Sequence, residues 1–213
     1  MGSPKHLYLV LYNTLAALGW CYVLSLLLFH EYEAMRAPAS ASALFSRIGA
    51  VTRVVQTSAA LEIMHALLRW VRSPLLTTTA QVFSRLFLVW GIVGPFQQTH
   101  SSPLYGSMVF AWSMTEVIRY SFYAFNLVGR EYHALTYLRY TTFFVLYPLG
   151  ASSEALLISA TLPPARLWGV FEGFRAILFV LWWPGLYIMY KHMITQRRKV
   201  LGSGTFQKRD KSK

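Results

Sequence analysis

Residues 7–29, LYLVLYNTLAALGWCYVLSLLLF, carry no charged side chain. About 20 such residues suffice for a helix to cross the hydrocarbon core of a bilayer. The run is too long for the core of a cleaved signal peptide, and no convincing small-residue cleavage site follows it. A retained transmembrane helix is therefore expected. Lipid offers no partner to a bare N–H or C=O, which makes a helix the expected form rather than an open strand.

Five further apolar runs follow, at 51–71, 77–97, 104–125, 134–160 and 168–190. Only 13% of the chain is charged, where about 25% is usual for a soluble domain. Mean hydropathy is +0.39. The expectation is an all-α integral membrane protein, a six-transmembrane-helix bundle in one domain over residues 1–190. The second and third runs contain charges and also fit re-entrant or interfacial helices. The connector HEYEAMRAPASASALFSRIGA, residues 30–50, reads as a loop rich in Pro, Ala and Ser. Residues 191–213 form a basic tail with little to bury, expected to be disordered.

The net charge of +12 is not gathered into a nucleic-acid patch. Eight of the bases lie between Lys191 and Lys213, directly after an apolar run. Such placement signals topology and attraction to anionic lipid head groups. With six spans, Lys5, Arg69, Arg72, Arg130 and the tail share one side, and Arg36, Arg47, Arg53 and Arg166 take the other. The excess places both termini in the cytosol. Cys21 is the sole cysteine, so no intrachain disulfide and no CxxC metal pair is available, and it reads as a packing residue.

Four of the eight acids, Glu62, Glu116, Glu154 and Glu172, fall inside the runs. A charge at a helix centre costs about 2.5–3.5 kcal/mol on insertion scales, so each calls for a partner. Glu116 and Arg119 are three residues apart, as are Glu172 and Arg175, and that spacing puts each pair on one helix face. Glu62 stands in the same relation to His65, with no second His or Cys nearby to suggest a metal.

Glu154 differs, because no base lies three or four positions away. Its polar companion is Tyr147, within LYPLGASSE. Seven residues bring the two side chains to within about 20° of each other on a helix, roughly 10.5 Å apart along the axis. Between them Pro148 removes a backbone donor and predicts a kink, which Gly150 would ease. The residues thus suggest a phenol and a carboxyl facing one pocket beside a bend.

The segments LYLVLYNTLAALGW, LEIMHALLRWVRSP, QVFSRLFLVWGI, WSMTEVIRYSFYAF and LRYTTFFVLYPLGASSE resemble, in order and spacing, the membrane 3-hydroxyacyl-CoA dehydratases of very-long-chain fatty acid elongation. This is the protein tyrosine phosphatase-like, or PASTICCINO2, family. The likeness is weak in 30–50 and after about residue 160. It implies a catalytic pair at Tyr147 and Glu154, six spans, cytosolic termini and an endoplasmic reticulum membrane. It also implies neighbours in the elongation cycle: a condensing elongase, a ketoacyl reductase and an enoyl reductase.

Dehydration of a 3-hydroxyacyl-CoA takes a proton from C2 and hydroxide from C3, and needs no redox cofactor or metal. One group must accept a proton and another must donate one. With ordinary values near 4.3 for Glu and 10 for Tyr, Glu154 suits the base and Tyr147 the donor. A neighbouring Arg119 or Arg139 would favour the reverse. Two other readings share these residues: a transporter that binds cations on intramembrane carboxylates, and a non-catalytic scaffold for elongation enzymes.

Overall fold

The structure, a computed structural model, describes residues 3–36 and 42–202. Among the described residues all regular structure is helical. The helices are α1 (Pro4–Arg36), α2 (Ser42–Ser58), α3 (Ala60–Leu67), α4 (Leu75–Leu86), α5 (Pro103–Leu127), α6 (His133–Arg139), α7 (Phe143–Ala160) and α8 (Val170–Leu201). α4 runs without a break into a π-helical stretch, Phe87–Val93.

Set against the six apolar runs, these elements fall into six groups: α1, α2 with α3, α4 with its π-helical extension, α5, α6 with α7, and α8. Contacts fix their directions. Tyr12 meets Tyr120 and Trp20 meets Trp112, so α1 and α5 are antiparallel. Ser107 bonds Ser153 at 2.8 Å while Ala111 lies beside Gly150, so α5 and α7 are antiparallel too. Phe143 meets Tyr190 while Arg175 donates to the Thr161 carbonyl at 3.1 Å, which opposes α7 and α8. The start of α1, the turn after α3 and the C-terminal part of α5 gather at one end around Tyr8, Trp70 and Tyr123.

α5 is the central helix. Pro103 occupies its first turn, where a missing N–H costs nothing, and the Ser102 side chain accepts from the Leu104 N–H at 3.3 Å. Its Met108, Trp112 and Tyr120 join Trp20 and Val23 of α1, Ile48 of α2, Leu88 and Ile92 of the π-helical stretch, and Leu157 and Ile158 of α7 in one buried core. The outside is apolar as well: Leu76 and Phe83 on α4, and Val170, Phe171, Val180 and Ile188 on α8, are all exposed. A surface of that kind is unfavourable in water and suits lipid.

Four helices are long and apolar enough to cross a membrane: Pro4–Arg36, Leu75–Val93, Phe143–Ala160 and Val170–Leu201. α2 and α3 are shorter, at 17 and 8 residues, and α5 is long enough but carries polar residues such as Ser113 and Glu116, both buried.

Several expectations need correction. The connector at 30–50 is mostly helix, because α1 continues to Arg36 and α2 begins at Ser42. The fifth run is not one helix: it is interrupted at 140–142, between α6 and α7, and α7 runs on across Pro148. Cys21 is exposed on the outer face of α1, alongside Leu18 and Tyr22, and does not pack in the core. α8 carries the chain as helix through Lys191–Leu201, so the first part of the basic tail is ordered. Residues 203–213 lie outside the described residues.

Candidate active site

Two kinds of polar arrangement occupy the middle of the bundle. The first is a closed network of charge. Glu116 accepts from Arg119 Nε at 2.6 Å and also bonds Arg85 of α4. Arg119 turns its other two nitrogens on Glu62 of α3, at 2.9 and 2.8 Å, in a bidentate fork. The Tyr120 hydroxyl donates to the same Glu62 carboxylate. Two carboxylates and two guanidiniums thus neutralise one another and tie α3, α4 and α5 together. The Glu116–Arg119 pair expected from spacing is present, as is Glu172–Arg175 at 2.9 Å. Glu62, however, pairs with Arg119, and His65 bonds the Tyr8 hydroxyl at 3.0 Å.

The second arrangement surrounds Glu154, which has no guanidinium partner. Its Oε1 accepts from Trp112 Nε1 at 2.6 Å and its Oε2 from Trp182 Nε1 at 2.8 Å. α7 lies against α5 here at Gly150, where a Cβ would stand 3.4 Å from that of Ala111 and 4.0 Å from Glu154 Oε1. Small residues at a helix contact allow such approach inside a membrane.

Tyr147 and Glu154 line one cavity of about 360 Å³, the size of a small-ligand site. α4 contributes Gln81 and Arg85, α5 contributes Trp112 and Thr115, and α8 contributes Trp182 and Gly185. α4 and α8 both line the cavity while barely touching each other. Farther along, the Phe87 and Phe174 rings meet edge to face, 5.8 Å between centroids.

Arg85 is the guanidinium that lines this cavity with Tyr147 and Glu154. Arg119 and Arg139, the candidates from sequence, do not line the cavity, Arg119 being in the charge network and Arg139 bonded to the Tyr123 hydroxyl at 2.9 Å, but the charge of both still reaches Tyr147. Trp112 and Trp182 were not singled out from sequence either. Trp112 sits four residues before Glu116, so helical spacing could have placed it on the inward face, whereas nothing in the sequence pairs Trp182 with Glu154. A second cavity, about 470 Å³, lies beyond the Glu62–Arg119 pair and includes Tyr12, His65, Trp70 and Arg72.

A helical bundle with an apolar exterior, and a phenol and an acid opening on one interior cavity, defines the class: a multi-helix protein with a lipid-facing surface and an internal polar site. Residues 56–203 match the family described as Protein tyrosine phosphatase-like protein, PTPLA. The chain belongs to that family. Among similar proteins is the probable very-long-chain (3R)-3-hydroxyacyl-CoA dehydratase of Schizosaccharomyces pombe, 44% identical, with 91% of this chain and 92% of that protein covered. The PASTICCINO 2A dehydratase of Oryza sativa is 39% identical, covering 93% and 95%. The human very-long-chain (3R)-3-hydroxyacyl-CoA dehydratase 2 is 36% identical, covering 91% and 80%. The match extends through α8, past residue 160, where the resemblance read from sequence fades. No solved structure matches the chain.

Removing one member of a buried ion pair leaves the other charge uncompensated, at a cost of about 3–5 kcal/mol. Glu116→Leu should destabilise the fold by that order, seen as a lower Tm in detergent micelles. Glu116→Gln, which keeps an acceptor for the arginines, should lose less.

Proposed function

We propose that the chain dehydrates a very-long-chain (3R)-3-hydroxyacyl-CoA to the trans-2-enoyl-CoA within the endoplasmic reticulum membrane, with Tyr147 and Glu154 as the reacting pair. The observation that carries this reading is the single cavity that both residues line. The names of the relatives supply the substrate class and the configuration at C3.

In this reading the Glu154 carboxylate takes the proton from C2. The electron pair of that C–H bond forms the C2=C3 double bond, the C3–O bond breaks, and the departing oxygen receives the Tyr147 proton and leaves as water. The cycle closes when the proton on Glu154 returns to the Tyr147 phenolate. Acid and base are each worth about 10²- to 10⁴-fold in such a step. Arg85, beside both groups, offsets the negative charge that develops on the phenol.

Six passes cross the bilayer, with both termini in the cytosol. The end of the cavity marked by Thr77 and Met189 then faces the cytosolic side. That side carries Arg69, Arg72, Arg130 and the basic stretch from Lys191, a setting suited to the phosphates of CoA. The acyl chain enters between α4 and α8 and continues into lipid. The other enzymes of the elongation cycle are the proposed neighbours.

Three experiments test this reading. Protein reconstituted with 3-hydroxypalmitoyl-CoA should form the enoyl-CoA; Tyr147→Phe and Glu154→Gln should each lower kcat by at least about 10²-fold. Near-wild-type turnover in either variant removes that residue from the mechanism. A Cβ added at Gly185 meets open space, so Gly185→Leu should keep the wild-type Tm while raising KM several-fold for long acyl chains. In sealed microsomes, tags at both termini should be cut by added protease, and a protected tag would refute the six-span topology.

A further inference from the structure

The two indoles on Glu154 have no role in the reaction as written so far. We infer that Trp112 and Trp182 are positioning residues, whose N–H groups grip the two oxygens of Glu154, favour its carboxylate form and hold it toward the cavity. This inference rests on the dehydratase reading and assigns the base within it.

The argument is one of donors and acceptors. An indole N–H only donates. Trp112 Nε1 reaches Oε1 at 2.6 Å and Trp182 Nε1 reaches Oε2 at 2.8 Å, so each oxygen serves as an acceptor. An ionised carboxylate accepts at both oxygens without conflict. A neutral acid could still accept at both oxygens, but its hydroxyl oxygen is the weaker acceptor and its O–H finds no acceptor in either indole. Hydrogen bonds to the charged form favour that form. They also fix the plane of the carboxyl group, because the donors come from different helices, α5 and α8, on either side of α7.

Trp112 is itself held in place. The Arg85 guanidinium lies 5.0 Å from its ring centroid, in cation–π contact, and Arg85 is bonded to Glu116. The edge of Trp20 packs against it at 6.5 Å between centroids, and Trp112 is buried. A cation over the ring draws electron density from the indole and strengthens its N–H as a donor. The charge network thereby acts on Glu154 through Trp112, with no guanidinium bonded to the acid. From the elements around Glu154, the titratable and charged groups in the cavity are Arg85 on α4 and Tyr147 on α7, with Glu116 of α5 behind Arg85; α5 and α8 present the indoles.

Trp182→Phe is the primary test, since Trp182 is only partly buried and a phenyl ring keeps most of its packing. Trp112→Phe is the second. Each loses one hydrogen bond to the charged acid, so more Glu154 is protonated at a given pH. Full-length protein in liposomes with 3-hydroxypalmitoyl-CoA should show kcat reduced about 10- to 100-fold at neutral pH, with KM little changed. The acidic limb of the pH–rate profile should move up by roughly one to two pH units, and raising the pH should restore part of the rate. Trp182→His, which retains a ring N–H, should recover more activity than Phe.

A loss of rate equal at every pH, with the limb unmoved, would reduce the tryptophans to packing residues and overturn the inference, as would unchanged kcat in both Phe variants. An active wild type with unaffected Phe variants sinks only the indole grip. An inactive wild type sinks the dehydratase reading instead. A further measurement needs no turnover. The infrared band of the protonated Glu154 carboxyl, identified by its loss in Glu154→Gln, should appear at higher pH in Trp182→Phe than in wild type. Coincident titrations would again overturn the grip.

Discussion

Charge has no cheap place in the interior of this bundle, and the Arg85–Glu116–Arg119–Glu62 network is how the chain meets that constraint. Four ionised groups on three helices satisfy one another, with Tyr120 closing the set. Each helix that contributes a charge is thereby held in rotation and depth, since a displaced member would strand its partner at a cost of several kcal/mol. The same pairing bears on the transporter alternative. Glu62, Glu116 and Glu172 spend their charge on arginines of the chain itself, which leaves little for a transported cation.

Glu154 is the exception that the network isolates. A carboxylate bonded to a guanidinium is strongly stabilised and a correspondingly weak base. Two neutral indoles hold its position with less stabilisation, so orientation is secured while basicity is retained. Arg85 stands close enough to contribute its field to Tyr147 and Glu154 but is bonded to Glu116. One group of arginines and glutamates thus performs two tasks, locking the helices and setting the electrostatics of a site that it does not enter.

The sequence reading succeeded where the physics is local and failed where it is distributed over the fold. The apolar runs fall mostly on helices, and Tyr147 and Glu154, seven residues apart, line one cavity. Both i,i+3 ion pairs at Glu116 and Glu172 form as spaced. Partners on other helices were not legible. Nothing near Glu62 announces Arg119, nothing near Glu154 announces Trp182, and the choice of Arg85 over Arg119 and Arg139 depends on how α4 lies against α5 and α7. The fifth run shows the other limit: read as one stretch, it is interrupted at 140–142, where the chain turns from α6 into α7.

α8 brings these threads together. Most of its surface faces outward, and its packing is chiefly on α7, while the rest of the bundle is locked by the core and the charge network. It supplies both one wall of the cavity and one of the two donors to Glu154. In the proposed reaction, a cavity of about 360 Å³ is small beside a very long acyl chain, and entry between α4 and α8 would let that chain lie along lipid instead of filling a closed pocket. Because α8 also carries Trp182, a chain that pushed α8 outward would loosen the grip on the base. On that reading, acyl occupancy and the protonation of Glu154 would be coupled through a single helix.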